Sequence, residues 1–369
     1  MDKTKTVIIH LVANKVWGGG EQYVYDLIDN LKNEPWCQVS VVCKKSDIVT
    51  DRLSALSVDI RQMNLNGYMD IKSVVALSKM LNQVEGRCII HAHDFKRAFI
   101  AVLAKKLSKN KYVSVVMTRH LVRKAKKSFF ENIVYRNVDR FFFVSDLAKQ
   151  EFLSSKPNID YNKCVVVLSG VKDVACDPRF LRDEYGISDD EFVMMYHGRI
   201  VSEKGVDVIV DALSQIKDTF KWRMVFVGDD TSEYALSVKK RISSFNMDRN
   251  IIWAGYQKNV VKYIGGCDLG IVPTIAQEAF GLSVVEYMMA GKAVVTTSHG
   301  AQKEYIQNGT TGVLIPASDS KALADSIVSI CQTGSFKQIG SNARAYYEQH
   351  LTYKVFYNKL LEEYLRFSE

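Results

Sequence analysis

Runs of β-branched and apolar residues recur along the whole chain, separated by stretches in which apolar residues return every three or four positions. The runs predict strands at 7–12, 39–42, 88–91, 113–118, 141–145, 165–168, 192–196, 224–227, 251–254, 269–272, 293–297 and 313–315. Their hydrophobicity is continuous rather than alternating, which suits strands covered on both faces, and helices between strands point to parallel α/β sheets. The two halves begin alike. VIIHLVANKVWGGGEQYVYDLIDNL opens the chain and VMMYHGRIVSEKGVDVIVDALSQI starts at 193, each reading strand, glycine-bearing loop and amphipathic helix. Two Rossmann-like domains in tandem follow, joined near 171–190. Open α/β sheets bind ligands beyond the carboxyl ends of their strands, so the expected site is the cleft between the domains.

Length and composition agree with this reading. The 369 residues, 47% hydrophobic and 24% charged, suffice for two globular domains. The start MDKTKTVIIHLVA is expected to carry no secretory signal, and no apolar run reaches the roughly 20 residues of a membrane span. Seven scattered cysteines without a C-x-x-C pair predict reduced thiols and a cytoplasmic location. Charge is uneven. Residues 1–170 hold 27 Lys and Arg against 16 Asp and Glu, whereas 171–369 hold 22 against 25. Residues 96–127 carry eleven cations and no acid, which predicts an anionic partner, either a phosphorylated or lipid-linked acceptor or the inner face of a membrane. No helix-turn-helix, zinc or RNP-type pattern accompanies the charge, so no nucleic acid is expected.

The stretch QEAFGLSVVEYMMAGKAVVTT, 277–297, predicts a helix over 281–290 ended by Gly291 and followed by a buried strand. Glu286 falls on the apolar stripe of that helix and Glu278 stands just before it, where free backbone amides favour anions. After the strand at 192–196, Gly198 and Arg199 precede Glu203, Lys204 and Gly205 at a helix start, a setting suited to a diphosphate. In the first half, Gly18, Gly19 and Gly20 open a helix and allow positive φ and close ligand approach. His120 follows a strand at its carboxyl end. His91 and His93 share a strand face and with Asp94 offer a rival, zinc-type reading, but no further ligand lies nearby in the sequence. Neither G-x-G-x-x-G nor G-x-x-x-x-G-K-[ST] occurs, and no D-x-D, so dinucleotide, P-loop and magnesium-nucleotide sites lack support.

Taken in order, GGGE at 18–21, HAH at 91–93, TRH at 118–120, VSD at 144–146, GRIVSEKG at 198–205, VGDD at 227–230, AGY at 254–256, the E-x7-E of 278–286, AGKAVVTT at 290–297 and NGTTGVLIP at 308–316 resemble the retaining GT-B glycosyltransferases of family 4 (group 1). The resemblance implies two Rossmann-like domains with parallel sheets facing across a cleft. The acceptor domain would be 1–171 with a C-terminal helix at about 350–369, and the donor domain 172–349. Glu286 would hold the ribose hydroxyls of a nucleotide-sugar, Glu278 the donor sugar, and Arg199 and Lys204 the diphosphate, beside Gly198, Phe280 and the backbone amides of Gly281 and Leu282. Tyr256 and Gln257 would meet the base, Gly19 and Gly20 the diphosphate and acceptor, and His120 the sugar. His120, Glu278, Arg199 and Lys204 are the implied catalytic residues. The implied activity is metal-independent, retaining transfer of a hexosyl type with no cofactor besides the donor, UDP being expected before GDP, in polysaccharide or lipopolysaccharide synthesis. A nucleotide-sugar epimerase and a non-catalytic nucleotide-sugar-binding protein are the alternatives. Two positions depart from the pattern: Leu168-Ser169-Gly170-Val171 stands where the family has Asn-Gly-Val, and His197 precedes Gly198 where an apolar residue is commoner.

Overall fold

The computed structural model describes residues 5–14 and 17–368, so Met1–Thr4, part of the expected signal-free start, lies outside the described residues. The chain forms two compact units, one running to Ser169 and resuming at Tyr357, the other spanning Gly170–Phe356. Each is built on a wholly parallel sheet. The first contains β1 (Thr6–Val12), β2 (Cys37–Cys43), β3 (Asp59–Gln62), β4 (Cys88–Ala92), β5 (Val113–Arg119), β6 (Arg140–Phe143) and β7 (Cys164–Val166), in the order β3-β2-β1-β4-β5-β6-β7. The second contains β8 (Phe192–His197), β9 (Trp222–Val227), β10 (Ile251–Gly255), β11 (Leu269–Val272), β12 (Ala293–Thr297) and β13 (Val313–Ile315), in the order β10-β9-β8-β11-β12-β13. This is the α/β GT-B class of fold, with a doubly wound sheet in each unit.

The continuous apolar runs have the physical cause expected of them. Every residue of β1 and of β8 is buried, because helices cover both sheet faces. β3 escaped the sequence reading. Its sequence Asp-Ile-Arg-Gln is polar and half-exposed at a sheet edge, where no apolar run is needed. Helix starts follow local capping chemistry. Asp94, Ser128 and Ser145 each accept a backbone amide three residues on, opening the helices Phe95–Leu107, Phe129–Asn137 and Asp146–Ser154. Ser145, expected at the end of a strand, is that cap instead. The last helix, Tyr353–Leu365, is tied into the first unit by Arg140 to Glu363 at 2.8 Å, by Tyr357 Oη donating to Glu34 at 2.8 Å, and by Tyr364. All seven cysteines are free, and no helix of the described residues is long and apolar enough to cross a membrane.

Strand order reverses between β1 and β4 in the first sheet and between β8 and β11 in the second. The carboxyl ends of strands at such switch points form crevices. Candidate residues of both units lie there, whereas Tyr256 and Gln257 follow β10 at the edge of the second sheet.

Candidate functional site

In the second unit, β8 ends at His197 and the chain turns through Gly198, whose φ is +142°, to Arg199, which is exposed. Tyr196 Oη donates to the Arg199 carbonyl at 2.6 Å and fixes this turn. The expected helix start at Glu203 and Lys204 is a 3-10 turn, Ser202–Lys204; the α-helix begins after Gly205, at Val206. Gly205 is required twice over. Its φ is +74°, and a Cβ there would lie 2.1 Å from the Pro273 carbonyl oxygen.

Beyond β11 the chain passes Glu278 and Phe280 to Gly281, which caps the helix Leu282–Met289 with φ +90°. The helix is one residue shorter at each end than predicted, because Gly281 and Ala290 are its caps. Tyr287 packs on Gly270 of β11, where a Cβ would meet its ring at 2.5 Å, and its hydroxyl donates to the Met195 carbonyl at 2.8 Å. Tyr305 Oη donates to the Phe280 carbonyl at 2.6 Å, and the Ala301 amide to the Glu278 carbonyl at 2.9 Å. The helix start is thus held from both sides; the Val284 amide donates to the Gly281 carbonyl at 3.0 Å, and the amides of Leu282 and Ser283 precede the first intrahelical bond.

The two glutamates each have a cationic or proton-donating partner from the β8 side. Lys204 Nζ is in ion-pair contact with Glu278 Oε1. His197 Nε2 lies 2.6 Å from Glu286 Oε2, the imidazole N–H donating to the carboxylate. Glu286 is not sealed in the core as its stripe position predicted; its side chain is 27% exposed, and only Oε2 is engaged among the described residues. Gln257 Nε2 donates to the Ala254 carbonyl at 2.6 Å, and Tyr256 beside it is exposed, at the end of β10. The structure therefore brings Gly198, Lys204, Glu278, Phe280, Gly281, Leu282 and Glu286 around the β8–β11 switch point. Gln302 was not foreseen. It is fully buried beside Gly281, with both amide atoms lacking a hydrogen-bond partner among the described residues.

In the first unit, Gly18 caps the helix Gly19–Leu31. Positive φ, which the glycines allow, is not used: Gly18 is extended at φ −153° and the next two glycines are helical. Freedom from a side chain is what remains, since a Cβ on Gly20 would meet nothing within 4 Å. His120 follows β5 at its carboxyl end, its Nε2 3.4 Å from His93 Nδ1 and its ring edge-on to Tyr23 at 4.8 Å. His93 lies one residue past β4 rather than on it, yet its ring centre lies 4.3 Å from that of His91, the two planes tilted by 33°.

The residue that the sequence reading missed is His10. It pairs in register with His91 across β1 and β4, and its Nδ1 lies 3.2 Å from His93 Nε2. The signal was present: Ile8-Ile9-His10 and Ile89-Ile90-His91 are the same tripeptide, set side by side by the sheet. His10, His91 and His93 offer one ring nitrogen each within 4.8 Å of one another, so the trio also has the spacing of metal ligands. Its present bonding is a hydrogen-bond network. His91 is held at both nitrogens, by Tyr364 Oη at 2.5 Å and Thr118 Oγ1 at 2.7 Å. Burial draws the His10 imidazole down to about 3 and that of His120 to about 4, and holds His91 and His93 well below the ordinary value, so all four are neutral at pH 7.

Two parallel doubly wound sheets, each with polar residues at its switch point, are the architecture of the GT-B fold. Residues 17–173 match the family described as Glycosyltransferase Family 4, and residues 177–346 match Glycosyl transferases group 1. The chain belongs to this family, group 1 and family 4 of the glycosyltransferases. Among its relatives is the N-acetyl-alpha-D-glucosaminyl L-malate synthase of Bacillus anthracis, 24% identical over 283 residues, 74% of this chain and 73% of that protein. A lipopolysaccharide 1,2-N-acetylglucosaminetransferase of Salmonella typhimurium is 32% identical over 142 residues, 36% of this chain and 37% of that one. In fold, the chain is similar to a glycosyltransferase from Rickettsia africae, with TM-score 0.88, 24% identity and 98% of both chains covered. It is also similar to Anabaena HepE in complex with UDP, with TM-score 0.86, 19% identity, and 97% and 99% covered.

Proposed function

We propose that this glycosyltransferase moves a hexosyl group from a nucleotide-sugar, UDP before GDP, to a glycan, lipid-linked or phosphorylated acceptor, with retention and without a metal. The observation that carries the reading is the arrangement in the second unit. Two carboxylates flank a helix N-terminus that also faces Lys204, with Arg199 on the adjoining turn. A nucleotide-sugar has that sequence of groups: hydroxyls, diphosphate, hydroxyls.

In this reading Glu286 Oε1 accepts from the ribose while His197 holds Oε2. Glu278 meets the donor sugar, and Gln257 and the backbone near Tyr256 meet the base. Lys204, Arg199 and the amides of Gly281 and Leu282 take the diphosphate. Transfer breaks the bond from the sugar's anomeric carbon to the diphosphate oxygen, and the acceptor hydroxyl oxygen bonds to that carbon from the same face. The acceptor's proton passes to the departing phosphate oxygen. Negative charge grows on the diphosphate as the bond breaks, and the fixed cations and helix amides stabilise it there. Gly19, Gly20 and His120 belong to the acceptor side. The basic stretch of the first unit supports an anionic acceptor or peripheral contact with an anionic membrane, and relatives named for lipopolysaccharide and capsular polysaccharide synthesis support a role in surface glycans. HepE has been crystallised with UDP and with UDP-glucose, which supports the choice of donor class.

A thermal-shift screen of UDP-, GDP- and ADP-sugars tests the reading. A ligand at a hundred times its Kd adds about 2.7 kcal/mol of stability, so one nucleotide series should stand out. No stabilisation by any of them would overturn the assignment.

A further inference from the structure

The first unit encloses a cavity of about 610 Å³ at the carboxyl ends of β1 and β5. That size is typical of a small-molecule site. Its wall carries six cationic side chains, Lys96, Arg97, Arg119, Arg123, Lys124 and Lys126, against three carboxylates, Glu21, Asp94 and Glu131.

The carboxylates are already engaged. Asp94 caps its helix and holds Arg97 at 2.6 Å; Glu21 accepts from the Asn14 amide; Glu131 accepts from Tyr68 Oη at 2.8 Å and from Ser128. Among the described residues the other five cations have no carboxylate within ion-pair distance.

Arg119 is the telling member. It is only 8% exposed, with its guanidinium 4.9 Å from the ring centre of Phe152 and 5.2 Å from that of Phe95. One terminal nitrogen donates to the Arg123 carbonyl at 2.7 Å, and Nε–H is buried with no acceptor among the described residues. A buried cation is costly unless paired, and contact with two aromatic faces offsets only part of that cost. Burial accordingly draws this guanidinium down to about 10. A protein that keeps such a group at a cavity wall holds it ready for a counter-ion that arrives from outside.

We propose that the cavity binds an acceptor bearing a phosphate ester, with the phosphate as the counter-ion of Arg119 and with Lys96, Arg123, Lys124 and Lys126 around it. The proposal rests on the reading of the protein as a glycosyltransferase whose first unit takes the acceptor. Phosphate fits better than a carboxylate. It carries close to two charges and three acceptor oxygens, which suits several unpaired cations and a forked guanidinium donor. Its source, a soluble sugar phosphate or a lipid-linked one, shares this chemistry.

The test is a thermal-shift titration of the full chain with inorganic phosphate, against chloride at equal ionic strength. Saturable stabilisation is expected in the wild type and in Lys204→Ala. A loss of at least tenfold in apparent affinity is expected in Arg119→Met and, independently, in the exposed pair Lys96→Ser with Lys124→Ser, which decides the matter if Arg119→Met does not fold. Equal response in all variants overturns the proposal, as does a response lost in Lys204→Ala but kept in Arg119→Met, which would put the phosphate in the second unit. Hexose 1-phosphate and phosphatidic acid vesicles then separate the sources: an Arg119-dependent response to the first assigns a soluble acceptor, to the second a lipid-linked one, and to neither overturns the proposal. Nucleoside diphosphate binding, measured alongside, reports on the glycosyltransferase reading separately, because its charged ligands, Arg199 and Lys204, belong to the second unit.

Discussion

His197 Nε2 lies 2.6 Å from Glu286 Oε2, at the end of β8 and inside the helix Leu282–Met289. A histidine where an apolar residue is commoner becomes the partner that fixes one carboxylate oxygen and, among the described residues, leaves the other unengaged. If that oxygen accepts from the ribose, wild-type protein should bind UDP several-fold more tightly than its 2′,3′-dideoxy analogue. Glu286→Ala should erase the preference, and His197→Phe should reduce it by leaving the carboxylate free to turn. Competition binding reads both, and an undiminished preference in Glu286→Ala contradicts the ribose role.

Glu278 and Lys204 neutralise each other across the same helix start. A nucleoside diphosphate would draw Lys204 away and free Glu278 for the donor sugar. Glu278→Gln should therefore leave UDP affinity within about threefold of wild type while transfer falls by two orders of magnitude or more, roughly 3 kcal/mol in the transition state. Equal losses in binding and turnover would place Glu278 at the nucleotide instead.

Four neutral histidines in the first unit set an acid limit on stability. Folding holds His10 at about 3 and His120 at about 4, with His91 and His93 also lowered, whereas the unfolded chain takes up these protons near 6.5. The unfolded state binds more protons in between, so this stabilisation is complete above about pH 6.5 and is lost as pH falls towards 4. Melting temperatures measured from pH 8 to 4 should fall through that window, less steeply for His93→Gln. A flat profile from pH 8 to 5 would contradict the burial argument.

Much of this was legible in the chain. Twelve strands announced themselves as apolar runs because parallel strands are covered on both faces, and several residues proposed for the donor side sat beside glycines after strand ends. What was hidden depends on neighbours far away in sequence. β3 needed a partner strand to reveal it, and Glu286 needed His197, 89 residues distant, before its place on an apolar stripe made sense. The trio of His10, His91 and His93 needed the pairing of β1 with β4. Gly18, Gly19 and Gly20 allow positive φ without using it, which only the backbone itself shows.

Metal independence is open to a direct check. Activity should persist in excess EDTA, because the reading assigns the diphosphate charge to Arg199, Lys204 and helix amides. Added Zn²⁺ is the sharper probe, given the histidine trio. Activity abolished by EDTA and restored by Zn²⁺, with restoration lost in His10→Ala, would contradict the proposal.

Arg123, Lys126 and Lys127 precede the helix Phe129–Asn137 rather than lying within it. They lie exposed in an irregular stretch before Ser128, and the helix begins at Phe129, itself 73% exposed. Each cation near an anionic surface contributes on the order of 1 kcal/mol, screened over a Debye length. Co-sedimentation with anionic vesicles should fall steeply with salt and drop in the triple Ser variant. Equal pelleting with neutral and anionic lipid would contradict membrane contact.

The central claim is a donor diphosphate held by Arg199 and Lys204, and calorimetric titration of UDP into wild type, Arg199→Ala and Lys204→Ala tests it most directly. Each lost charge-assisted bond is worth roughly 1.5–3 kcal/mol, so each variant should bind at least about tenfold more weakly while melting within a few degrees of wild type. Wild-type affinity in both variants would contradict the account.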